Sequence, residues 1–525
     1  MGAWGAGGSV AGAERAGRLD RAARARAQPQ DAHPTPAHTL TPQNTIAFFH
    51  PNAAGGGGGE RVLWVAVAAT MRARPSAAIS IYCDAALTPA ALAHSARTAF
   101  GVSLPRPVSV VPLPDVARLS PSRHPRLTLV TQSAAGGALA WAGLRSLVPE
   151  IFVDTSGWAA AYPLAAAAGA TVAAYVHYPI VSTDMLARVG GGGAGGGGGG
   201  GDPAPPRSRA ATLLSFLRAA AKAAYYYAVA ALYGAAGGCA AGAAVNSSWT
   251  AAHIRALWWR VAPPRLLYPP CGAGDLAALP LSPRGEGGRP LLVALAQFRP
   301  EKDHPRLLRA LAAARAAARG DPSAAGSAAV LAARLLLIGS VRNGDDAARV
   351  EALTRLAESL GLASTPSNPA DAVAFAVGLP RPALVAALAR AAAGLHAMRD
   401  EHFGIGIVEY AAAGAVPIAH ASGGPAADIV APAAGPARVG WLASTTAEYA
   451  AAIREVLALP ETERAAVAAR ARARAATFDD GRFGEGWVAL LDECAPGVGV
   501  AEGGARAGGG GGAGGRGAAR PRARR

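Results

Sequence analysis

The stretch at residues 401–414, EHFGIGIVEYAAAG, constrains the fold of this chain more than any other. The preceding run Ala391–His396 (AAAGLH) predicts a short buried strand, and the residues after Gly406 predict an alanine-rich helix. Strand, glycine-containing loop and helix in this order form a corner of an α/β fold. The N–H groups and positive dipole at the helix N-terminus favour a phosphate, and glycines let it approach the backbone.

Two carboxylates flank the glycine turn of this stretch, Glu401 before it and Glu409 within the predicted helix. Each can accept hydrogen bonds from hydroxyl groups. Two such acceptors around one phosphate-binding loop predict a site for a nucleotide sugar. The alternative is a solvated Glu401 at a helix start and an ordinary exposed Glu409.

The beginning of the chain shows a similar arrangement. The apolar strand Thr45–Phe49 leads to a glycine run and then to a helix that opens at Glu60. A strand at 78–82 followed by Asp84 raises the alternative of a dinucleotide-binding fold. However, the glycines do not fall as G-x-G-x-x-G, and Glu60 would place negative charge where a pyrophosphate binds, which argues against NAD or FAD. The candidate glycine loop consists of Gly55, Gly56, Gly57, Gly58 and Gly59.

Four further strands are predicted, and the helical stretches between them indicate a mostly parallel sheet. They are residues 108–111, residues 127–131, Ile151–Asp154 and Thr171–Val176. His177 follows the last of these, at the carboxyl end of a parallel strand, where such sheets bind ligands. The alternative is a histidine that local backbone groups satisfy.

A second α/β unit begins with the apolar run 291–298, which predicts a strand. The loop after it carries Arg299 and Lys302, which either clamp a diphosphate or belong to a solvated basic loop. A further strand at 335–338 leads to three more donor-binding candidates, Gly339, Ser340 and Arg342.

These patterns divide the chain into two doubly wound, Rossmann-like domains at residues 44–281 and 291–495. Residues 282–290 (SPRGEGGRP) are predicted to be a linker, and the glycine run at 190–201 a surface insertion. Residues 1–43 and 496–525 are predicted to be disordered tails.

The net charge of +16 lies partly in the ends of the chain. Residues 1–40 hold five arginines against three acids, and residues 501–525 hold six against one, so these two segments supply +7. The remaining charge suits an anionic lipid surface or a diphosphate, and no interleaving of basic and aromatic residues indicates nucleic acid. The four cysteines are widely spaced without a C-x-x-C motif, which argues against structural zinc.

The uncharged stretch at 223–245 holds 23 residues, which is long enough to span a bilayer, but four glycines interrupt it. The preferred interpretation is a tyrosine-rich helix over 210–234 that lies in the headgroup region, beside Arg218 and Lys222. Burial of this helix in the core is the alternative.

Glu401 and Glu409, with seven residues between them, resemble the E-x7-E motif of the family-4 retaining glycosyltransferases, whose GT-B fold has two Rossmann-like domains facing across a cleft. Eight blocks in order resemble, more narrowly, the α-1,2-mannosyltransferases that extend dolichyl-diphosphate oligosaccharides in asparagine-linked glycosylation. The blocks are FFHPNAAGGGGGERVLW, YVHYPIVSTDML, VNSSWTAAHI, YPPC, QFRPEKDHP, LLLIGSVRNGDD, EHFGIGIVEYAAAG and HASGGP.

The resemblance implies transfer of two successive α-1,2-linked mannoses from GDP-mannose to dolichyl-diphosphate Man3GlcNAc2, on the cytosolic face of the endoplasmic reticulum membrane. The first domain would face the acceptor and the membrane, and the second would bind GDP-mannose. Other lipid-linked-oligosaccharide mannosyltransferases are candidate partners, and nucleic acid is not. The alternative is another family-4 transferase with a different acceptor.

The resemblance also implies roles for single residues. Glu401 would contact the transferred mannose and Glu409 the ribose of GDP, while Arg299 and Lys302 would neutralise the leaving diphosphate. The same-face mechanism drawn for the family needs no protein base, and the chain has no D-x-D motif, so no metal or cofactor is expected. The remaining implied contacts are the amides around Phe403, Gly404 and Ile405 to the diphosphate, and His177 with the glycine loop near the sugar and acceptor.

Overall fold

A computed structural model of the protein describes residues 43–190, 209–259, 262–281, 289–362, 372–430 and 438–500. The predicted N-terminal tail and the predicted glycine insertion lie almost wholly outside these ranges. Most of the predicted linker and of the predicted C-terminal tail also lies outside them.

The first sheet has seven described strands, all parallel, in the order β3-β2-β1-β4-β5-β6-β7. They are β1 (Thr45–Phe49), β2 (Ala78–Asp84), β3 (Ser109–Leu113), β4 (Ile151–Asp154), β5 (Thr171–Val176), β6 (Gly242–Val245) and β7 (Arg265–Leu266). The helices along this part of the chain are α1 (Gly58–Ala73), α2 (Pro89–Phe100), α3 (Thr128–Leu144), α4 (Tyr162–Ala167), α5 (Thr183–Gly190), α6 (Arg209–Gly237) and α7 (Ser248–Leu257).

The second sheet has six described strands, also parallel, in the order β10-β9-β8-β11-β12-β13. They are β8 (Leu291–Leu295), β9 (Arg334–Gly339), β10 (Val373–Val377), β11 (Ala391–His396), β12 (Val416–His420) and β13 (Trp441–Ala443). The helices are α8 (Gly274–Ala277), α9 (His304–Gly320), α10 (Ser327–Ala332), α11 (Gly344–Ser359), α12 (Arg381–Arg390), α13 (Ile405–Ala413), α14 (Thr446–Ala458), α15 (Glu461–Ala475) and α16 (Asp480–Cys494). In both sheets the strand order reverses beside the first strand, which confirms two doubly wound sheets.

Strand β1 shows why these runs become central strands. All five of its residues are buried, because helices cover both faces of the sheet. Phe48 packs towards Trp487 on one face, with ring centroids 6.1 Å apart, and Phe49 packs on Phe152 on the other, at 5.7 Å. An apolar run without polar alternation therefore suits a strand buried on both faces.

The last helix, α16, packs on the first sheet rather than the second. The indole N–H of Trp487 donates to Thr70 Oγ1 of α1 at 2.9 Å, and the Arg74 guanidinium pairs with Asp492 at 2.8 Å. Beyond this helix the Gly499 N–H donates to Asn44 Oδ1 at 2.9 Å. The predicted boundaries place α16 in the second domain, which was predicted to end at residue 495, and residues 496–500 in a tail. In the structure, α16 and the residues that follow it pack on the first domain instead.

The predicted strand at 127–131 is wrong, because these residues begin α3. Their β-branched residues favour a strand locally, but tertiary packing outweighs this propensity. A Cβ at Gly136 would lie 2.5 Å from the Trp158 ring, and one at Gly143 2.6 Å from the Tyr82 ring, so both glycines bring the helix close to its neighbours. Strands β10 and β13 and helix α12 are absent from the sequence-based prediction.

Helix α6 continues past the predicted interruption at Gly234. A Cβ at that position would lie 2.3 Å from the Leu257 carbonyl oxygen, so this glycine serves close packing rather than a break. Within the described ranges, no helix combines the length and the apolar character that crossing a bilayer requires.

Candidate active site

A cleft of about 1360 Å³ lies between the two domains. It is lined by loops from the carboxyl ends of both sheets, where doubly wound folds bind ligands. Gly55 is not among the lining residues; its N–H donates to the Asn52 carbonyl at 3.0 Å. The predicted site residues that line the cleft are Gly56, Gly57, Gly58, Gly59, His177, Arg299, Lys302, Gly339, Ser340, Arg342, Glu401, Phe403, Gly404, Ile405 and Glu409.

Glu401 lies in the loop after β11 and is held by two donors on one oxygen. Lys302 Nζ lies 2.5 Å and His396 Nε2 lies 2.9 Å from its Oε2. Its other oxygen, Oε1, accepts the backbone N–H of His402 at 3.1 Å. Burial alone raises the pKa of this carboxyl, but the His396 hydrogen bond and the Lys302 charge outweigh burial and hold the pKa well below its ordinary value. Glu401 is therefore an ionised acceptor at neutral pH.

His396, the last residue of β11, is a site residue that sequence reasoning missed. Its side chain is buried, and its backbone carbonyl accepts the Tyr449 hydroxyl at 2.7 Å, so both ends of the residue are fixed. Because it shares an oxygen of Glu401 with Lys302, it orients the carboxylate. The sequence shows only a histidine at a strand end, without its partner.

We expect His396→Ala to lower kcat by about 10- to 100-fold, because small misplacements of a reacting group are costly. His396→Gln, whose amide N–H can reach the same oxygen, is expected to recover most of the loss. Initial rates at saturating donor and acceptor measure both variants, with the thermal midpoint as a control for folding. Wild-type kcat in a folded His396→Ala protein would contradict the positioning role.

Glu409 belongs to a second ion-pair cluster, on α13. Its Oε1 lies 2.7 Å from Arg381 Nη1, and Arg381 Nη2 lies 2.8 Å from Asp275 Oδ1. Burial raises the pKa of Glu409, and the Arg381 charge opposes this effect. The exposed fraction of the Glu409 side chain is 14%, so the alternative of an ordinary exposed glutamate is wrong. Arg381 was not predicted, because its helix α12 was not recognised.

The N-terminus of α13 forms the predicted anion-binding corner. Gly404 precedes the helix with φ 108°, and a Cβ there would lie 2.9 Å from Ile407 Cδ1, so the position requires glycine. No side chain caps the first turn of α13, and Ile405 and Gly406 of that turn line the cleft, so their N–H groups are placed to bind an anion there. From the other domain, a Cβ at Gly58 would lie 2.6 Å from Ile405 Cδ1, so the two loops meet across the cleft.

The first-domain loop is organised by Glu60 and borders His177. Glu60 Oε2 accepts the Gly57 N–H at 2.9 Å, so its charge caps α1. His177 Nε2 lies 3.0 Å from the Thr155 carbonyl oxygen. Burial and the neighbouring His50 lower the pKa of His177 to about 4, so the ring is neutral at physiological pH. Local backbone thus satisfies one ring nitrogen of His177, as the alternative interpretation has it, and the residue also lines the cleft.

The basic residues of the second domain differ in their partners. Arg299 Nη1 lies 3.6 Å from Glu301, and its Nε is buried without a hydrogen-bond partner among the described residues. Arg342 pairs with Asp346 at 3.0 Å. Gly339 ends β9, where a Cβ would lie 2.1 Å from the Ala296 carbonyl oxygen. The structure brings these predicted residues together, and their roles remain predictions.

Comparisons with known proteins place this cleft in a family. Residues 43–258 match the family model "ALG11 mannosyltransferase N-terminus", and residues 282–474 match "Glycosyl transferases group 1". The human protein named GDP-Man:Man(3)GlcNAc(2)-PP-Dol alpha-1,2-mannosyltransferase is 37% identical, over 84% of this chain and 85% of its own. The chain belongs to this α-1,2-mannosyltransferase family. The predicted resemblance is thereby confirmed.

Other members of the mannosyltransferase family are similarly close. The Neurospora crassa protein of the same name is 35% identical, over 86% of this chain and 80% of its own.

Among solved structures, sucrose-phosphate synthase from Thermosynechococcus elongatus has a TM-score of 0.56 at 16% identity, covering 86% of this chain and 98% of its own. A trehalose 6-phosphate synthase from Burkholderia multivorans has a TM-score of 0.57 at 14% identity, with the same coverage. These structures confirm the GT-B fold.

Within the ranges that the structure describes, no three His, Cys, Asp or Glu side chains of this family member are grouped so that they could hold a metal ion. Among the charged side chains that line the cleft, six residues form two ion-pair clusters, Lys302–Glu401–His396 and Asp275–Arg381–Glu409. The first lies beside the N-terminus of α13 and the second along that helix.

Proposed function

We propose that this chain transfers mannose from GDP-mannose, in α-1,2 linkage, to dolichyl-diphosphate Man3GlcNAc2 and adds the fourth and fifth mannoses. The observation that carries the proposal is Glu401, held by Lys302 and His396 beside the N-terminus of α13, which no side chain caps, in the cleft of a chain that belongs to this family. The second candidate is another family-4 transfer with a different acceptor, and the choice of acceptor separates the two.

In the proposed reaction the C1–O bond of GDP-mannose breaks, and the diphosphate takes the electron pair. A 2-hydroxyl of the acceptor bonds to C1 from the same face, and its proton passes to the departing phosphate oxygen. Glu401 accepts hydrogen bonds from the mannose hydroxyls, and the first-turn N–H groups of α13 receive the diphosphate. Glu409, held by Arg381, accepts hydrogen bonds from the ribose.

The proposal includes metal independence. Negative charge that develops on the diphosphate meets Lys302, Arg299 and the helix N-terminus, all of which line the cleft. Fixed positive groups of this kind stabilise a leaving phosphate as a bound cation does in other enzymes. Transfer is therefore expected to continue in EDTA.

The proposal also includes attachment to the endoplasmic reticulum membrane through α6. The N-terminal part of this helix exposes large apolar side chains, and its C-terminal part is buried at Val229 and Tyr233. Tyr225 joins the exposed face to the start of α3, since its hydroxyl accepts the Leu129 N–H at 3.2 Å. The exposed set, here called the α6 surface, consists of Leu214, Phe216, Leu217, Tyr227 and Leu232, with Leu127 and Val130 beside Leu129. Arg218 and Lys222 are exposed on the same helix.

Apolar side chains next to basic ones suit the interface of an anionic membrane. We expect Phe216→Glu with Leu217→Glu to weaken co-sedimentation with phosphatidylcholine–phosphatidylserine vesicles by at least about tenfold, because two exposed apolar side chains that would enter the membrane interface become charged. Val377→Glu, on an equally exposed apolar residue of β10, is the matched control and is expected to bind like the wild type. Unchanged vesicle binding of the double variant would remove α6 from the membrane contact.

Incubation of the chain with radiolabelled GDP-mannose and synthetic lipid-linked Man3GlcNAc2 tests the proposed function. We expect labelled products with one and two added mannoses. GDP binding without transfer to this acceptor, when other mannosyl acceptors are labelled, would favour the second candidate.

A further inference from the structure

Three aromatic rings from the two domains meet beside Glu401. Tyr178 lies in the loop after β5, and its ring stacks on the ring of His402, with centroids 5.0 Å apart and an interplanar angle of 18°. The Trp249 ring, on α7, lies 5.5 Å from the same histidine at 32°. His402 is the neighbour of Glu401 in the chain and lines the cleft.

The Trp249 ring is supported by a second histidine, whereas the Tyr178 ring remains open to solvent. Trp249 packs edge-on against His253 at 4.1 Å, and His253 Nδ1 lies 2.6 Å from Thr183 Oγ1. Tyr178 keeps 53% of its surface exposed although it is stacked on His402. Burial lowers the pKa of His402, so its ring is neutral at physiological pH and presents an uncharged face to Tyr178.

The position of this cluster matters for the second substrate. The donor elements, Glu401, Glu409 and the α13 N-terminus, belong to the second domain, whereas Tyr178 and Trp249 belong to the first. An acceptor must reach the same sugar carbon from the first-domain side. Tyr178 and Trp249 are not themselves among the residues that line the cleft, but both pack on His402, which is, so the exposed Tyr178 ring borders the cleft where the two domains meet.

We propose that Tyr178 and Trp249, together with His402, form a stacking subsite for a mannose ring of the acceptor glycan. One face of such a ring carries mainly C–H groups, which pack on an aromatic face, while its hydroxyls remain available for hydrogen bonds. The inference rests on the proposed function, whose acceptor is a mannose-terminated oligosaccharide. It assigns these aromatic residues to acceptor binding rather than to chemistry.

The test compares Tyr178→Leu, which removes the ring, with Tyr178→Phe, which keeps it. We expect Tyr178→Leu to raise the KM for lipid-linked Man3GlcNAc2 by about five- to tenfold, the scale of one lost aromatic contact, with the KM for GDP-mannose unchanged. Tyr178→Phe is expected to behave like the wild type. Trp141→Leu, which removes a ring of similar exposure on α3 that is not one of the two rings packed on His402, is the matched control.

Two outcomes would overturn the subsite. In the first, Tyr178→Leu leaves the acceptor KM unchanged. In the second, Tyr178→Leu lowers kcat, or raises the KM for donor and acceptor alike. Either change would show that the stacked rings stabilise the contact between the domains rather than bind the acceptor. Trp249→Leu, which removes the other ring packed on His402, provides a second variant if Tyr178→Leu has a lowered thermal midpoint, and it is expected to raise the acceptor KM in the same way.

Calorimetric binding of the acceptor to the GDP-loaded protein separates this inference from the proposed function. Weaker acceptor binding by Tyr178→Leu, in a protein whose wild type transfers no mannose, would keep the subsite and remove the function. If the wild type transfers mannose, and the wild type and Tyr178→Leu bind the acceptor equally well, the proposed function stands and the subsite is wrong.

Discussion

Glu401→Gln is expected to lower kcat for mannose transfer by about 10²- to 10³-fold, with GDP still bound. The glutamine keeps the shape of the side chain but loses the negative charge that Lys302 and His396 orient. It also replaces one acceptor oxygen by a donor, so it cannot hold the mannose hydroxyls in the same way. Initial rates with saturating substrates measure the loss, and calorimetry measures GDP binding.

The matched control is Glu351→Gln, on the exposed surface of α11, where the side chain is 72% exposed. This control is expected to transfer mannose like the wild type. Wild-type turnover by Glu401→Gln would remove the carboxylate from the reaction. Loss of GDP binding in the same variant would instead indicate a disrupted donor site.

Lys302→Met is expected to lower kcat by about 10²-fold, because it removes the cation that holds Glu401 and that, in the proposed reaction, would also neutralise the leaving diphosphate. It also changes the pH dependence. In the wild type the pKa of Glu401 lies well below its ordinary value, so the carboxylate stays ionised through mildly acidic pH. Without the Lys302 charge the pKa of Glu401 rises towards the ordinary range of a carboxyl group. The residual activity of the variant is therefore expected to fall as the pH is lowered into that range, because Glu401 becomes protonated.

Lys302→Arg, which retains the charge, is the control for this effect, and its acid limb is expected to remain close to that of the wild type. The double variant Glu401→Gln with Lys302→Met is expected to lose less than the product of the two single losses, because the residues act as one pair. Two results together would show that the Lys302–Glu401 contact has no part in catalysis. The losses of the two single variants would multiply in the double variant, and the acid limb of Lys302→Met would match that of the wild type.

Local sequence predicted the elements whose signal is local. Thr45–Phe49, Ile151–Asp154 and Ala391–His396 are apolar runs bounded by polar or glycine residues, and the structure has them with the predicted bounds. The strand predicted at 127–131 failed because its β-branched residues favour a strand only locally, and the tertiary packing of α3 outweighs that propensity. The place of α16 was not predictable from alternation, since a helix that follows the second domain in sequence packs on the first.

The site followed the same rule. Glu401, Gly404 and Glu409 lie within one strand–loop–helix unit, so their spacing alone indicated a phosphate and two hydroxyl acceptors. The partners of the two carboxylates come from other segments, Lys302 from the loop after β8 and Arg381 from α12. A single sequence shows charged residues but not which of them pair. For this reason Lys302 was predicted as a diphosphate clamp, and its contact with Glu401 emerged only from the fold.

The most direct test of the proposed reaction is transfer of radiolabelled mannose from GDP-mannose to lipid-linked Man3GlcNAc2 by the full chain in EDTA, followed by digestion with an α-1,2-mannosidase. We expect products with one and two added mannoses, release of all label by the mannosidase, and transfer at least about 10²-fold slower by Glu401→Gln. Two results would contradict the proposed reaction. One is no transfer although the protein binds GDP and vesicles are supplied, and the other is label that the mannosidase does not release.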